Sequence, residues 1–265
     1  MIPQIIHYCW FGHNPKPQLA EKCIASWRQF FPNYELKEWN ESNFDVNIVP
    51  YVKEAYEAKK YAFVSDYARF WILYNFGGLY FDTDVEIIRP LDSVIAEGPF
   101  MGCEQDYMRK PNGKMMAGKG TAVNPGLGVG AEPQMELLKS MLDMYATIHF
   151  INADGSPNEK TVVAYMTEML AKNGLKDEVG IQKVSGFTIY PKEYFAPKDY
   201  LTNKIHICEN TLTIHHYDAS WREKSILLDF VDYVKNNIII KILPQKLVDA
   251  ILALKKRKRT KGSFF

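Results

Sequence analysis

The first half of the chain alternates between strand-like and helix-like segments, and this alternation limits the possible folds more than any other feature. β-forming residues dominate Ile5 to Phe11, Tyr34 to Trp39 and Leu79 to Ile88. Between them, apolar residues recur at helical spacing from Leu19 to Phe31 and from Ala62 to Phe76, and two glycines follow the second helix. Strands that alternate with helices are typical of a sheet covered by helices. The chain is therefore predicted to be an α/β protein.

Length and composition allow one large domain. The chain has 265 residues, of which 47% are hydrophobic and 24% are charged, so it can bury a sizeable core and is not a disordered or disulfide-stapled chain. Glycines and prolines between Met101 and Ala131 predict loops that cross a binding face. No internal repeat or linker is visible. We expect one domain over residues 1–225 and an amphipathic helical extension over residues 226–265.

The C-terminal segment concentrates positive charge. Six basic residues lie between Lys255 and Lys261, where there is no acidic residue, although the whole chain has a net charge of only +1. An aliphatic helical segment, VDAILAL, precedes them. This combination predicts peripheral contact with an anionic membrane, and the alternative is a simply solvated tail. Because the basic segment has no interleaved aromatic residues, binding to nucleic acid is not expected.

The sequence also predicts a location. The N-terminal segment lacks the basic and apolar regions of a signal peptide, and no apolar run reaches the ~20 residues of a membrane-spanning helix. We therefore expect a cytoplasmic protein that is peripherally associated with the inner face of the plasma membrane. The four cysteines are widely scattered and are expected to be reduced thiols.

Two acidic residues, Asp82 and Asp84, follow the apolar segment Leu79 to Phe81. In an extended segment, residues two apart point to the same side, so both carboxylates would face one site. Clustered carboxylates repel each other unless a cation lies near them, and oxygen ligands suit Mn²⁺ or Mg²⁺. The pattern predicts a metal site with open positions for a substrate diphosphate. For the tripeptide alone, a solvated strand end is an equal alternative.

Other polar residues suggest a site but leave alternatives open. Asp66 and Arg69 share one face of an otherwise apolar helix, either as a simple salt bridge or as groups that bind diphosphate and sugar hydroxyls. His215 and His216 end a strand-like segment, and an imidazole there is either a third metal ligand or a structural group. The indole N–H of Trp221 is a donor that could meet an oxyanion.

Three segments, in this order, resemble glycosyltransferase family 32, the capsular and mannosyl-type sugar transferases with a DXD motif: IPQIIHYCWFG, YAFVSDYARFWILYNFGGLYFDTDVEIIRPLD and IHHYDASW. The middle segment also resembles the glucosyltransferase domain of the large clostridial toxins and, more remotely, family 8 galactosyltransferases. The resemblance implies a GT-A fold, which is a Rossmann-like mixed sheet flanked by helices. It further implies a metal-dependent, retaining transfer from a UDP-sugar to a saccharide or lipid-linked acceptor in capsular or other surface polysaccharide synthesis.

The resemblance assigns roles to individual residues. It implies that Asp82 contacts ribose and metal-bound water, that Asp84 ligates Mn²⁺ or Mg²⁺ directly, and that His216 is a further ligand. The remaining residues would hold the donor: Trp10 by stacking on uracil, Asp66 and Arg69 on the sugar and ribose, Tyr80 beside the DXD motif, Asn124 at the donor sugar, and Ser220 and Trp221 at the diphosphate and glycosidic oxygen. Asp66, Arg69, Asp84 and Trp221 are the residues expected to act in catalysis.

Two alternatives remain for the function. Phosphatases of the haloacid dehalogenase type also place an Asp-x-Asp after an apolar strand, but they have Thr or Val where this chain has Glu86. A nucleotide-sugar or glycan-binding module without turnover is the second alternative. Because all the motif positions are occupied, an active transferase is favoured.

Overall fold

A computed structural model describes residues 1–106, 120–199 and 203–218. The strands are β1 (Ile5–Cys9), β2 (Glu35–Trp39), β3 (Gly78–Tyr80), β4 (Val85–Ile87), β5 (Phe100–Gln105), β6 (Ala122–Ala131), β7 (Gln182–Val184), β8 (Phe187–Tyr190) and β9 (Thr213–His215). The helices are α1 (Gln18–Phe30), α2 (Pro50–Glu57), α3 (Tyr61–Phe76), α4 (Asp92–Ala96), α5 (Glu136–Ala146), α6 (Val162–Lys172) and α7 (Lys192–Phe195).

Seven strands form one mixed sheet in the order β2, β1, β3, β6, β5, β8, β7. Strand β1 pairs in parallel with both β2 and β3, whereas β6 runs antiparallel to β3 and β5. The predicted α/β class, with a Rossmann-like mixed sheet flanked by helices, is confirmed. Since β1, β2 and β3 are parallel, their carboxyl ends lie at one edge of the sheet, where open α/β sheets bind ligands.

The segment that contains the DXD motif differs from its prediction. The sequence predicts one strand from Leu79 to Ile88, but β3 and β4 belong to different sheets, and β4 pairs antiparallel with β9. Between them the chain turns, and the backbone N–H of Val85 donates to the carbonyl of Asp82 at 3.0 Å. Short polar side chains favour turns over strands. The two carboxylates are therefore positioned by a turn and not by the alternation of an extended strand.

The interval from Met101 to Ala131 also differs from its prediction as loops. Strands β5 and β6 occupy both ends of it and pair with each other, and β6 is buried along almost its whole length. Glycines are tolerated in β6 because large side chains of neighbouring elements fill the space: a Cβ on Gly130 would lie 2.3 Å from the ring of Phe100. This strand lies beside the DXD turn.

Helix α3 passes through the core. Most of its residues are buried, and Gly77 with a φ of +63° ends it, as the sequence predicts. Tyr145 of α5 packs on Tyr67 of α3, with ring centroids 5.9 Å apart. Asp66 and Arg69, which are charged, are buried with the apolar residues of this helix. Because buried charges are stable only with partners, these two residues point to a polar site within the fold.

The chain divides into two compact units. Of the described residues, 1–106, 120–198 and 206–216 belong to the first unit, and 199, 203–205, 217 and 218 belong to the second. The predicted domain end at residue 225, the extension over 226–265 and the basic residues from Lys255 to Lys261 lie outside the described residues and stay predictions. Among the helices that the structure describes, none has both the length and the apolarity needed to cross a membrane.

Candidate active site

The DXD turn leaves the sheet at the carboxyl end of β3. Its first carboxylate is fixed by β6, because the backbone N–H of Asp82 donates to the carbonyl of Gly126 at 3.0 Å. A Cβ on Gly126 would lie only 2.0 Å from Oδ2 of Asp82. No other residue type could occupy position 126 without displacing this carboxylate. The close approach of backbone and side chain therefore fixes where Asp82 lies.

Arg69 connects helix α3 to the DXD turn. Its Nη2 lies 2.8 Å from Oδ1 of Asp66 and 3.2 Å from Oδ1 of Asp82. The hydroxyl of Tyr80 donates to the same oxygen of Asp82 at 3.1 Å, and the Arg69 guanidinium lies 5.0 Å from the Tyr80 ring centre. The structure thus brings together four of the predicted site residues. The Asp66–Arg69 pair is more than a surface salt bridge, because it continues into the DXD motif.

Burial changes the ionisation of this group. It raises the pKa of Asp66 to about 7, although Arg69 opposes the shift. Burial also raises the pKa of Asp82, against the effect of Arg69. For Arg69 itself, burial acts to lower the pKa, but Asp82 and the other anionic groups around it outweigh that effect and raise it. The guanidinium is therefore a permanent positive charge in a buried place, suited to an anionic ligand.

The second DXD carboxylate contacts a histidine. Oδ1 of Asp84 lies 3.0 Å from Nε2 of His215, which is 7% exposed. The pairing of β4 with β9 sets this contact, because it places His215 opposite Val85, the residue after Asp84. Burial acts to lower the pKa of His215, but Asp84, followed by Asp82 and Glu104, outweighs burial and raises it.

His216 makes a different contact from the one predicted. Its Nε2 lies 2.8 Å from Oε2 of Glu86, an oxygen that also accepts a hydrogen bond from Nζ of Lys22 at 2.8 Å. Only its backbone reaches the DXD turn, where its N–H donates to the carbonyl of Asp84 at 2.9 Å. In this structure His215, and not His216, lies against Asp84. A role of His216 as a metal ligand stays a prediction.

Glu104, at the end of β5, is a site residue that the sequence analysis missed. Its Oε2 accepts a hydrogen bond from Nδ2 of Asn124 at 3.0 Å, while Oδ1 of Asn124 accepts one from the backbone N–H of Gly126 at 2.7 Å. Burial raises the pKa of Glu104, and the Asn124 hydrogen bond opposes the shift. The predicted residue Asn124 therefore links Glu104 to Asp82. The sequence signal that could have indicated Glu104 is an acidic residue directly after the apolar run FMGC.

The other predicted residues lie at the same edge or outside the described range. Trp10 follows β1; its backbone N–H donates to the carbonyl of Trp39 at 2.8 Å, and its indole N–H donates to the carbonyl of Asn14 at 2.6 Å. The side chain is only partly buried, which leaves ring surface for a ligand. Ser220 and Trp221 lie outside the described residues, so their predicted roles stay predictions.

The donor set fits an open divalent site. Within the described parts of the chain, no three or more His, Cys, Asp or Glu side chains converge as a complete metal site. Asp82 and Asp84 nevertheless supply carboxylate oxygens, and His215 supplies an imidazole nitrogen beside Asp84. The carboxylate oxygens suit both Mn²⁺ and Mg²⁺, whereas the imidazole nitrogen suits Mn²⁺ better than Mg²⁺. A cation at this position would also balance the clustered carboxylates.

Comparison with known proteins supports the same region. Residues 17–101 match a family model described as a glycosyltransferase sugar-binding region containing a DXD motif. Two relatives come from Schizosaccharomyces pombe. Inositol phosphoceramide mannosyltransferase 1 is 28% identical over 38% of this chain and 33% of its own length. Inositol phosphoceramide mannosyltransferase 3 is 30% identical over 36% of this chain and 27% of its own length. The chain thus spans a third or less of these relatives.

Two solved structures are also similar. The PaToxG glycosyltransferase has a TM-score of 0.45 and 16% identity, covering 64% of this chain and 69% of that chain. A glycosyltransferase involved in glycosylation of the major capsid of PBCV-1 has a TM-score of 0.45 and 11% identity, covering 81% of this chain and 95% of that chain.

The predicted resemblance to DXD-containing glycosyltransferases is confirmed by the family model and the two sequence relatives. The matched residues run from before α1 into β5 and include Asp66, Arg69, Asp82 and Asp84. This match favours a transferase over the phosphatase alternative.

Proposed function

We propose that this protein moves a sugar from a UDP-sugar to a saccharide or lipid-linked acceptor, with Mn²⁺ or Mg²⁺ as cofactor. One observation carries the proposal: a buried arginine, Arg69, joins Asp66 to the first carboxylate of the DXD motif at the carboxyl end of β3. Such an arrangement offers a fixed positive charge and two carboxylates where open α/β sheets bind ligands.

The chemistry follows from charge. When the bond between sugar and phosphate breaks, negative charge develops on the departing diphosphate. A divalent cation held by Asp82 and Asp84 would supply Lewis-acid stabilisation of that charge when bound. Arg69 adds positive charge that is already oriented by Asp66 and Asp82, so little reorganisation is needed during the reaction.

Other residues would bind the donor. Asp66 is placed to accept hydrogen bonds from hydroxyls of the sugar and ribose. Trp10 would stack on the uracil at the carboxyl end of β1, and Asn124 would contact the donor sugar from β6. Ser220 and Trp221 would contact the diphosphate and the glycosidic oxygen. The resemblance to family 32 supports these roles and also supports a retaining reaction, in which the departing phosphate oxygen accepts the acceptor's proton on the same face.

A lipid-linked acceptor and a place at the membrane are part of the proposal. The two fungal relatives are named as mannosyltransferases of inositol phosphoceramide, a lipid, which supports an acceptor of this kind. The basic residues from Lys255 to Lys261 would contact anionic lipid at the inner face of the plasma membrane, where capsular polysaccharide precursors are extended. Sedimentation with neutral and anionic liposomes tests this contact, and binding that ignores lipid charge would contradict it.

The central test is the exchange Asp84→Asn. Release of UDP from a panel of UDP-sugars with Mn²⁺ should fall by about 10²–10³-fold, because a ligand of the cation that would stabilise the developing anion is lost. Addition of EDTA to the unaltered protein should have a similar effect. Asp143→Asn is the matched control, since this exposed carboxylate on α5 pairs only with Lys139 among the described contacts. Activity that survives both Asp84→Asn and EDTA would refute a metal-dependent transferase.

A further inference from the structure

We propose that Glu104, at the end of β5, accepts a hydrogen bond from a hydroxyl of the donor sugar, and that Asn124 holds Glu104 in position for this contact. The proposal rests on the proposed function, because it concerns the donor of the same site. It gives the sugar contact to the carboxylate of Glu104, whereas the sequence-based expectation gives it to the amide of Asn124.

The first argument is that the amide of Asn124 is already committed. Its Oδ1 accepts a hydrogen bond from the backbone N–H of Gly126 at 2.7 Å, and its Nδ2 donates to Oε2 of Glu104 at 3.0 Å. The amide oxygen and one of the two N–H groups are therefore used within the protein. Asn124 is also only 7% exposed. Such a side chain holds its neighbours in place and offers little surface to a ligand.

The second argument is that Glu104 keeps acceptor capacity. Its Oε2 accepts the hydrogen bond from Asn124, and within the described parts of the chain no hydrogen bond reaches its Oε1. The residue is partly exposed, unlike Asn124. An ionised carboxylate has about four lone-pair sites, so the bond from Asn124 leaves room for a further donor. A sugar hydroxyl is such a donor, and a hydrogen bond to a charged acceptor is stronger than one to a neutral acceptor.

The third argument places this carboxylate beside the DXD motif. The carbonyl of Gly126 accepts the backbone N–H of Asp82 at 3.0 Å, so Glu104, Asn124 and Gly126 form a hydrogen-bonded path to the first DXD carboxylate. Burial raises the pKa of Glu104, and His215, the imidazole beside the second DXD carboxylate, is near enough for its charge to act against that rise. Glu104 therefore lies next to the groups expected to hold the diphosphate, where the attached sugar would lie.

This arrangement predicts a role in specificity. A site that hydrogen-bonds a substrate hydroxyl rejects analogues without that hydroxyl, because its own polar group is then left unpaired. Glu104 would thus select donor sugars with a free hydroxyl at one ring position. A residue that only positioned the DXD motif through Asn124 and Gly126 would instead affect UDP and every UDP-sugar equally. The two roles can therefore be separated by comparing ligands with and without the sugar.

The experiment measures donor binding without transfer. The purified protein with Mn²⁺ is titrated in a calorimeter with UDP, with a panel of UDP-sugars, and with analogues of the best-bound UDP-sugar that each lack one sugar hydroxyl. For one of these hydroxyls, its removal should weaken binding to the wild type by about 10-fold or more. Glu104→Ala should weaken binding of the intact UDP-sugar by a similar factor. In that variant the same hydroxyl should have little further effect, because its partner is gone.

Three controls accompany this comparison. UDP, which lacks the transferred sugar, should bind equally well to the wild type and the Glu104 variants. Glu104→Gln keeps an oxygen that can accept from Asn124 but loses the charge, so it should weaken UDP-sugar binding less than Glu104→Ala does. Glu97→Ala removes an exposed acid whose nearest cation, Nζ of Lys183, lies 3.9 Å away, and it should keep all the affinities. Circular dichroism checks that each variant is folded.

Several results would overturn the proposal. One is that removal of each hydroxyl weakens binding equally in the wild type and in Glu104→Ala. Another is that UDP and the UDP-sugars are weakened alike, which would leave Glu104 a positioning role only. If Glu104→Ala fails to fold, Glu104→Gln decides: a weakened UDP-sugar with unchanged UDP supports the proposal, and unchanged affinity for both refutes it.

The outcomes also separate this inference from the proposed function. An active transferase whose choice of sugar is the same with and without the Glu104 carboxylate would refute this assignment but not the proposed function. Sugar selectivity that depends on Glu104 in a protein without transferase activity would do the reverse. A wild type that binds no UDP-sugar would refute both.

Discussion

His7 and His215 are both buried, but their surroundings differ in charge. The Nε2 of His7 lies 3.1 Å from the carbonyl of Gly77, which can only accept. The indole N–H of Trp39, which can only donate, lies 3.1 Å from Nδ1 of His7. Both contacts together require the neutral imidazole with its proton on Nε2. Burial lowers the pKa of His7 to about 4.

His215 has the opposite environment. Burial acts on it too, but Asp84, Asp82 and Glu104 surround it with negative charge, and its pKa is raised. Burial alone therefore does not mark a functional histidine. His7 has uncharged hydrogen-bond partners at both ring nitrogens, whereas His215 lies among carboxylates that favour its charged form.

The largest expected effect comes from removing Arg69, the positive charge that is paired with Asp66 and Asp82. Arg69→Met should lower the free energy of unfolding by about 3–5 kcal/mol, because the buried Asp66 and the partly buried Asp82 would lose their shared partner. Urea unfolding measures this change. Arg28→Met, an exposed position on α1, is the control and should change stability little. A second exchange, Asp66→Asn, should recover part of the loss in the Arg69→Met protein, and no recovery would contradict the coupling of the two charges.

The pH dependence of stability tests the His7 side. The folded protein holds the pKa of His7 at about 4, below the ordinary value of 6.5, so the unfolded chain takes up the proton first. The stability from neutral His7 is therefore complete above pH 6.5 and is lost as the pH falls toward 4, by roughly 3 kcal/mol in total.

The measurement compares urea unfolding of the wild type and His7→Gln at several pH values. The Gln side chain takes up no proton in this pH range. The unfolding free energy of the His7→Gln variant should therefore fall less steeply between pH 6.5 and pH 4. His206→Gln, at an exposed position, should keep the wild-type slope. Equal slopes for wild type and His7→Gln would show that His7 is not held neutral.

The smallest expected effect concerns a third kind of buried polar group, a tyrosine hydroxyl. The hydroxyl of Tyr145 is buried beneath the site and, among the described residues, has no hydrogen-bond partner. Tyr145→Phe should therefore leave stability unchanged or raise it by up to about 1 kcal/mol, since an unsatisfied hydroxyl is removed. Tyr80→Phe should destabilise, because that hydroxyl donates to Asp82. Thermal unfolding of both variants measures the difference, and a marked loss in Tyr145→Phe would mean that its hydroxyl has a partner.

Local signals predicted part of the structure well. Helix α3 was expected over Ala62 to Phe76 and is found over Tyr61–Phe76, because its apolar spacing and the glycine after it are local features. The pairing of Asp66 with Arg69 also follows from their spacing on a helix. The contact of Arg69 with Asp82 does not follow from spacing, because it depends on how α3 packs against β3.

Features set by distant pairing were not predicted. The break between β3 and β4 depends on contacts of Asp82 with Gly126 and of β4 with β9, far along the chain. Because His215 and His216 are adjacent and chemically identical, only the register of β9 decides which one faces Asp84. Glu104 was hidden in an interval expected to form loops, and its importance depends on the neighbouring strand that carries Asn124.

The pairing of β4 with β9 also has a consequence for how the protein is made. Residues 85–87 contact residues 213–215, so the DXD turn is clamped only after the ribosome has added more than a hundred further residues. Until then, the growing polypeptide lacks both the second strand of that small sheet and the imidazole beside Asp84. Domains usually fold as units during synthesis, and pairings of such long sequence separation form late. A partly synthesised chain would thus contain Asp82 and Asp84 without the strand pairing that places His215 beside Asp84.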